Sequence, residues 1–120
     1  MSAGKHDITI DQGATWSITL TIKQANRLPL NLTGYTGEGM IKKTLDDPTP
    51  IASFIVSFPS PLEGKVSLLI PADVTSTMDF VWGVYDFKIT SPEAQVTRIL
   101  QGKVILNKEV SREIEVIPDE

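Results

Sequence analysis

The sequence predicts an all-β fold, in the form of an antiparallel β-sandwich. Apolar and polar residues alternate in several short runs, which is the pattern of strands with one buried face. Turn-forming residues separate these runs at spacings of roughly 8 to 15 residues, as in small sandwiches and barrels. Sustained helical periodicity is almost missing. Together these observations favour two packed layers of strands.

Length and composition fit one soluble domain. The chain has 120 residues, 41% of them hydrophobic and 22% charged, and a net charge of -4. This length supports a core without metal or disulfide staples. No run approaches the roughly 20 apolar residues that a membrane span requires, so we expect no membrane partner. Residues 1 to 112 are predicted to form the domain, and 113 to 120 a C-terminal edge strand or tail.

The first strands are predicted before residue 45. Residues 6 to 11 are one candidate. Residues 14 to 23 are a regular strand, in which Trp16, Ile18 and Leu20 share the parity of the buried face. Residues 35 to 43 are a further candidate. Its glycines predict kinks and turns, because no Lys-Ser/Thr pair follows them as it would in a phosphate loop.

The central strands are marked by aromatic and β-branched residues. Residues 51 to 58 lie between prolines and are predicted to turn Phe54, Val56 and Phe58 inward. Residues 66 to 70 alternate regularly after Gly64. Residues 71 to 78, "PADVTSTM", contain weak helix formers, so at most one short helical turn is expected there.

The last strands are predicted to form a long hairpin. Residues 85 to 89 and 95 to 106 are the two arms, joined by a turn around Pro92. The second arm would span about 40 Å if fully extended, so we expect a bulge, and Gly102 is its predicted position. Residues 109 to 117 are a further strand candidate.

The sequence predicts no catalytic, cofactor or metal site, and an enzyme is not expected. His6 is the only histidine and could not complete a triad or an imidazole metal site alone. Asp46 and Asp47 lack the ligand spacing of a calcium loop and predict a turn. Cysteine is absent, which excludes thiolate chemistry. The acidic net charge argues against a nucleic-acid partner.

Five residues are candidates for contacts with other molecules or for structural pairing. Trp82 has the opposite parity from Tyr85 and is expected to be exposed. Arg98 is expected to pair with a buried carboxylate such as Asp86, or to emerge at a sheet end. The other three lie near the C-terminus: Arg112, and then Ile114 and Val116 in a stretch, 113 to 117, that alternates acidic and apolar side chains.

Several segments together resemble small virion proteins of tailed bacteriophages. They are, in order, "DQGATWSITLTI", "PLNLTGYTGEGMI", "GKVSLLIPADVTSTM", "GVYDFKI" and "VTRILQGKVILNKEVSR". The resemblance covers about residues 6 to 112 and extends to the N-terminal domains of upper-baseplate proteins. Asn31, where an Asp is more usual, and the segment beyond Arg112 depart from the pattern.

The resemblance implies an immunoglobulin-like sandwich of about seven to nine strands. It also implies a structural or adaptor protein of the phage tail, baseplate or neck, made in the host cytoplasm and located in the virion. The expected partners are other virion proteins, in multiple copies of a symmetric assembly. A carbohydrate- or cell-surface-binding module and a capsid decoration protein are the alternatives, because a sandwich fold does not fix function.

Overall fold

The computed structural model describes residues 4–108, in which nine strands and one turn of α-helix are found. The all-β prediction is therefore confirmed for this part of the chain. The strands are β1 (Gly4–Lys5), β2 (Ile8–Asp11), β3 (Trp16–Thr21), β4 (Thr36–Lys42), β5 (Ala52–Ser53), β6 (Ile55–Ser60), β7 (Lys65–Ile70), β8 (Trp82–Thr90) and β9 (Val96–Asn107). A 3₁₀ turn at Pro61–Glu63 precedes β7, and α1 spans Ala72–Thr75.

The larger sheet is mixed. Its strand order is β1-β9-β8-β4-β5, and β2 also pairs with β9. Both β1 and β2 run parallel to β9, while the other pairings in this sheet are antiparallel. The prediction of a purely antiparallel sandwich is therefore wrong at this edge. Alternation in a sequence shows which face of a strand is buried, but it does not show the direction of the neighbouring strand.

The smaller sheet is antiparallel, with the order β3-β7-β6. The predicted strand at 51 to 58 is divided between the sheets, because β5 pairs with β4 in the larger sheet and β6 pairs with β7 in the smaller one. Phe54 lies at the crossing point and is buried. Pro59 falls inside β6, an edge strand in which a missing N–H is tolerated.

The two sheets enclose one apolar core. The predicted parity holds, since Val66, Leu68 and Ile70 of the smaller sheet and Tyr85, Phe87 and Ile89 of the larger sheet are all buried. Aromatic rings join the layers: the centroid of Phe54 lies 5.5 Å from that of Trp16 and 5.9 Å from that of Tyr85. Burial of these side chains supplies the main stabilisation of such a fold.

The long hairpin contains a bulge, but not at Gly102. Phe87 lies opposite Leu100, whereas Lys88 lies opposite Arg98, so Ile99 is the extra residue. Gly102 pairs in regular register with Tyr85. A Cβ atom at Gly102 would collide with the carbonyl oxygen of His6, so the absence of a side chain lets the N-terminal segment approach β9.

The expected helical turn is present as α1, and it anchors the turn between β2 and β3. Thr75 is fully buried. Its hydroxyl donates to the carbonyl oxygen of Ala14 at 2.8 Å and accepts from the N–H of Gly13 at 3.1 Å. In the described residues, no helix has the length and apolar character needed to cross a membrane.

Candidate interaction surface

Trp82 begins β8 and projects outward, as its parity predicts. Its exposed fraction is 56%, against 5% for Tyr85 on the opposite face. Ile105 lies directly across the ladder from Trp82 and is 49% exposed. We name Trp82 and Ile105 the Trp82 patch. A cluster of large apolar side chains in water is a mark of a contact surface.

A lysine borders this patch. The Nζ atom of Lys103 lies 5.9 Å from the centroid of the Trp82 ring, within the range of a cation–π contact. Lys103 precedes Ile105 on the outward parity of β9 and is exposed. The Trp82 patch is thus apolar with a basic border, a combination found where aromatic anchors meet a partner's polar rim.

Arg98 forms an ion pair with Asp86, with 3.7 Å between Nε and Oδ2. The carboxylate is not buried, because the side chains are 57% and 41% exposed. The bulge at Ile99 is the reason: it places Arg98 opposite Lys88 on the outward face, while Leu100 faces the core. The expectation of a buried partner is therefore wrong, and an exposed pair of this kind contributes about 0–1 kcal/mol.

A groove of about 680 Å³ crosses the outward face of the larger sheet. Three acidic side chains line it, and each has a partner: Glu38 pairs with Lys88 at 3.2 Å, Asp86 with Arg98, and Asp7 accepts from the backbone N–H of Lys103 at 2.9 Å. Five basic residues also line the groove: Lys5, Lys42, Lys88, Arg98 and Lys103. The groove therefore has a surplus of positive charge that sequence reasoning did not identify.

Tyr85 is one of the residues that line the groove. Its phenol donates a hydrogen bond to the carbonyl oxygen of His6, which holds the N-terminal segment against β9. Burial, and to a lesser degree the charge of Asp7, raises the pKa of Tyr85 to about 12. The phenol is neutral at physiological pH and acts here as a structural donor. The His6 residue itself is exposed.

Acidic and histidine side chains do not converge in the described part of the chain. Among residues 4–108, no group of three His, Cys, Asp or Glu side chains is placed to hold a metal ion. Asp47 forms a turn, accepting from the N–H of Thr49 at 3.0 Å. Three of the predicted contact residues, Arg112, Ile114 and Val116, lie outside the described residues, as does the strand candidate at 109 to 117.

Comparisons with known proteins do not identify a family. No protein-family model matches the chain, and no curated protein shows significant similarity to it.

Proposed function

We propose that the chain is a structural or adaptor protein of a tailed-phage virion, placed in the tail, baseplate or neck. In this role it holds neighbouring virion proteins, or fibres, through protein–protein contacts and is present in several copies. Its partners are other virion proteins rather than nucleic acid or membrane. No cofactor and no catalytic step are part of the proposal.

The Trp82 patch is the main evidence that the chain binds other proteins. The side chains of Trp82 and Ile105, which are 56% and 49% exposed, lie side by side at one end of the outward face of the larger sheet. Trp is enriched in the energetically dominant positions of protein interfaces, where a partner excludes water from it. The proposed location in a virion is supported by the ordered set of segments that resembles tailed-phage virion proteins.

We also propose that the two layers form an immunoglobulin-like sandwich. The strand orders β3-β7-β6 and β1-β9-β8-β4-β5 support this. So does the parallel pairing of the N-terminal strands with the last strand, which leaves one edge of the smaller sheet for a partner.

A carbohydrate-binding module has less support. A sugar platform needs an exposed aromatic face beside a groove, usually with a second aromatic ring. The ring of Trp82 has Lys103 near it, and Tyr85, the aromatic residue of the groove, is 5% exposed. The capsid decoration alternative differs from the proposal in the position of the chain in the particle.

Incorporation of patch variants into virions tests the proposal. Particles are purified from cells in which the variant replaces the native chain, and the chain is quantified by mass spectrometry. We expect Trp82→Ser with Ile105→Ser to lower incorporation at least tenfold, because the variant exposes no apolar anchor. Leu62→Ser is the matched control, since Leu62 is 72% exposed but lies in the 3₁₀ turn. Normal incorporation of the double variant would refute the role of the patch, and absence of the native chain from particles would refute the proposed function.

A further inference from the structure

The open edge of the smaller sheet is formed by β3, and it is regular. All six of its residues pair with β7 in continuous register, without proline or bulge. The opposite edge, β6, contains Pro59 and a register shift between Ser57 and Ser60. Edge strands are normally protected by such irregularities or by inward charges. Among the described residues, β3 has no second neighbour, so it is a template for another strand.

The backbone of β3 is oriented for strand addition. The N–H of Ile22 donates to the carbonyl oxygen of Gly64 at 2.8 Å, on the side of β7. Because hydrogen-bonding direction alternates along an antiparallel strand, the backbone groups of Ser17, Thr19 and Thr21 point to the open edge. Trp16, Ile18 and Leu20 face the core but remain half-buried, which leaves an apolar ledge along this edge.

The C-terminal segment 109–120 is acidic and contains an alternating stretch. The segment contains five of the 15 acidic residues and one of the 11 basic residues. Residues 4–108 therefore carry ten of each, and the segment carries the whole net charge of -4. Within it, "EIEVI" alternates acidic and apolar side chains with the period of a strand.

We propose that the edge of β3 accepts residues 113 to 117 of a neighbouring copy as a fourth, antiparallel strand of the smaller sheet. Ile114 and Val116 cover the apolar ledge, and their spacing of two residues places both on the core side. Glu113 and Glu115 then lie on the outward face, which also carries Lys65, whose Nζ donates to the hydroxyl of Thr21 at 2.9 Å. The inference rests on the proposed function, since it requires several copies in one assembly.

The fold favours a neighbouring copy over the same chain as donor. The N–H of Gln12 donates to the carbonyl oxygen of Asn107 at 2.9 Å, so β9 ends close to the turn from which β3 begins. A segment continuing from Lys108 along its own β3 would run in the same direction as β3. It would form a parallel pair beside an antiparallel sheet, and parallel pairing is slightly less stable per residue. A second copy can present the segment in the antiparallel direction.

Disulfide trapping between two single-cysteine variants tests this arrangement, because the native chain has no cysteine. Thr19→Cys and Glu115→Cys, whose side chains would lie on the same outward face, are mixed in equal amounts and oxidised. We expect a mixed-chain dimer at least tenfold above that formed by Glu115→Cys with Ser57→Cys, a control on the other edge of the same sheet. Equal trapping at both edges, or preferential trapping at Lys88→Cys in the groove, would overturn the proposal. The proposal would also be overturned if a Thr19→Cys/Glu115→Cys double variant formed the cross-link only within single chains.

A second pair of variants tests the backbone contact in the full chain. Thr19→Pro removes an N–H that points to the open edge, whereas Thr19→Val retains it. Sedimentation should show loss of the oligomer for Thr19→Pro and its retention for Thr19→Val. If Thr19→Pro fails to fold, Ile114→Asp with Val116→Asp replaces it, with the same expected loss. Oligomers that persist in the Ile114→Asp/Val116→Asp variant would contradict the inference.

The two proposals can fail separately. If the chain is found in particles but Thr19 is not beside the C-terminal segment of another copy, the edge contact is wrong and the virion role stands. If the purified chain traps the expected dimer but is missing from particles, the edge contact stands and the virion role is wrong.

Discussion

At the scale of single residues, the attachment of the N-terminal segment to β9 depends on Gly102 and Tyr85. Gly102 admits the backbone of His6 at close range, and the phenol of Tyr85 donates to the same His6 carbonyl oxygen. Asp7 then accepts from the N–H of Lys103 at 2.9 Å. These contacts position β1 and β2 in parallel register with β9.

Gly102→Ala should destabilise the protein. The added methyl group meets the His6 carbonyl oxygen, so backbone must move, and such overpacking costs about 1–3 kcal/mol. Gly4→Ala is the control, because its Cβ would lie 3.4 Å from Leu100, an ordinary contact. Urea unfolding of both variants measures the difference. Equal stability of the two would show that β9 does not require the close approach at Gly102.

Tyr85→Phe should remove a hydrogen bond while retaining the ring contact with Phe54. A net loss of about 1 kcal/mol is expected at neutral pH. The phenol ionises near its ordinary pKa of 10.0 when unfolded and at about 12 when folded. Between these values the unfolded state releases the proton first, so the stability of the native protein falls as pH rises.

The variant lacks this titration, and its free energy of unfolding should fall less steeply between pH 10 and 12. Parallel denaturation curves of the native protein and Tyr85→Phe at several pH values measure both slopes. Identical slopes would mean that the phenol is not shielded in the native state.

At the scale of elements, α1 is tied to the turn between β2 and β3 through the buried hydroxyl of Thr75. Thr75→Val keeps the shape of the side chain but leaves the Ala14 carbonyl oxygen and the Gly13 N–H without this partner. Loss of a typical hydrogen bond costs about 0.5–1.5 kcal/mol. Thr77→Val is the matched control, since Thr77 is exposed and bonds within its own turn. Thermal unfolding should separate the two variants, and similar midpoints would contradict the anchoring role.

The strands could be predicted from the sequence because alternation is a local property. The runs around Ile18, Leu68 and Phe87 each specify a buried face, and each lies in a strand with that face inward. Pairing direction and bulge position could not be predicted, since they depend on residues far apart in the chain. The parallel pairing of β2 with β9 joins Ile8 to Val104, and the bulge at Ile99 is visible only in the register against β8.

At the surface, too, local features could be predicted from the sequence, whereas features that depend on distant residues could not. The exposure of Trp82 follows from its parity, but the neighbouring Ile105 comes from another strand and was not identified. Arg98 was expected near Asp86, and the ion pair is present, yet the bulge puts it on the outward face in water. The open edge of β3 could not be identified, because it is set by the strand order of the whole sheet.

At the scale of the whole molecule, charge is divided unequally between residues 4–108 and the C-terminal segment. Residues 4–108 have equal numbers of acidic and basic residues, while the net charge lies in the C-terminal twelve residues. The body offers an apolar patch around Trp82, a groove with surplus positive charge and an open strand edge. Several weak contacts of this kind gain strength when copies are repeated in an assembly.

Electron cryomicroscopy of purified particles tests whether the chain is a structural protein of the virion. The proposed function predicts density for this fold at repeated, symmetry-related positions in the tail, baseplate or neck, with the Trp82 patch covered by a neighbouring protein. Particles that lack this chain altogether, while infected cells contain it in a free form, would contradict the account.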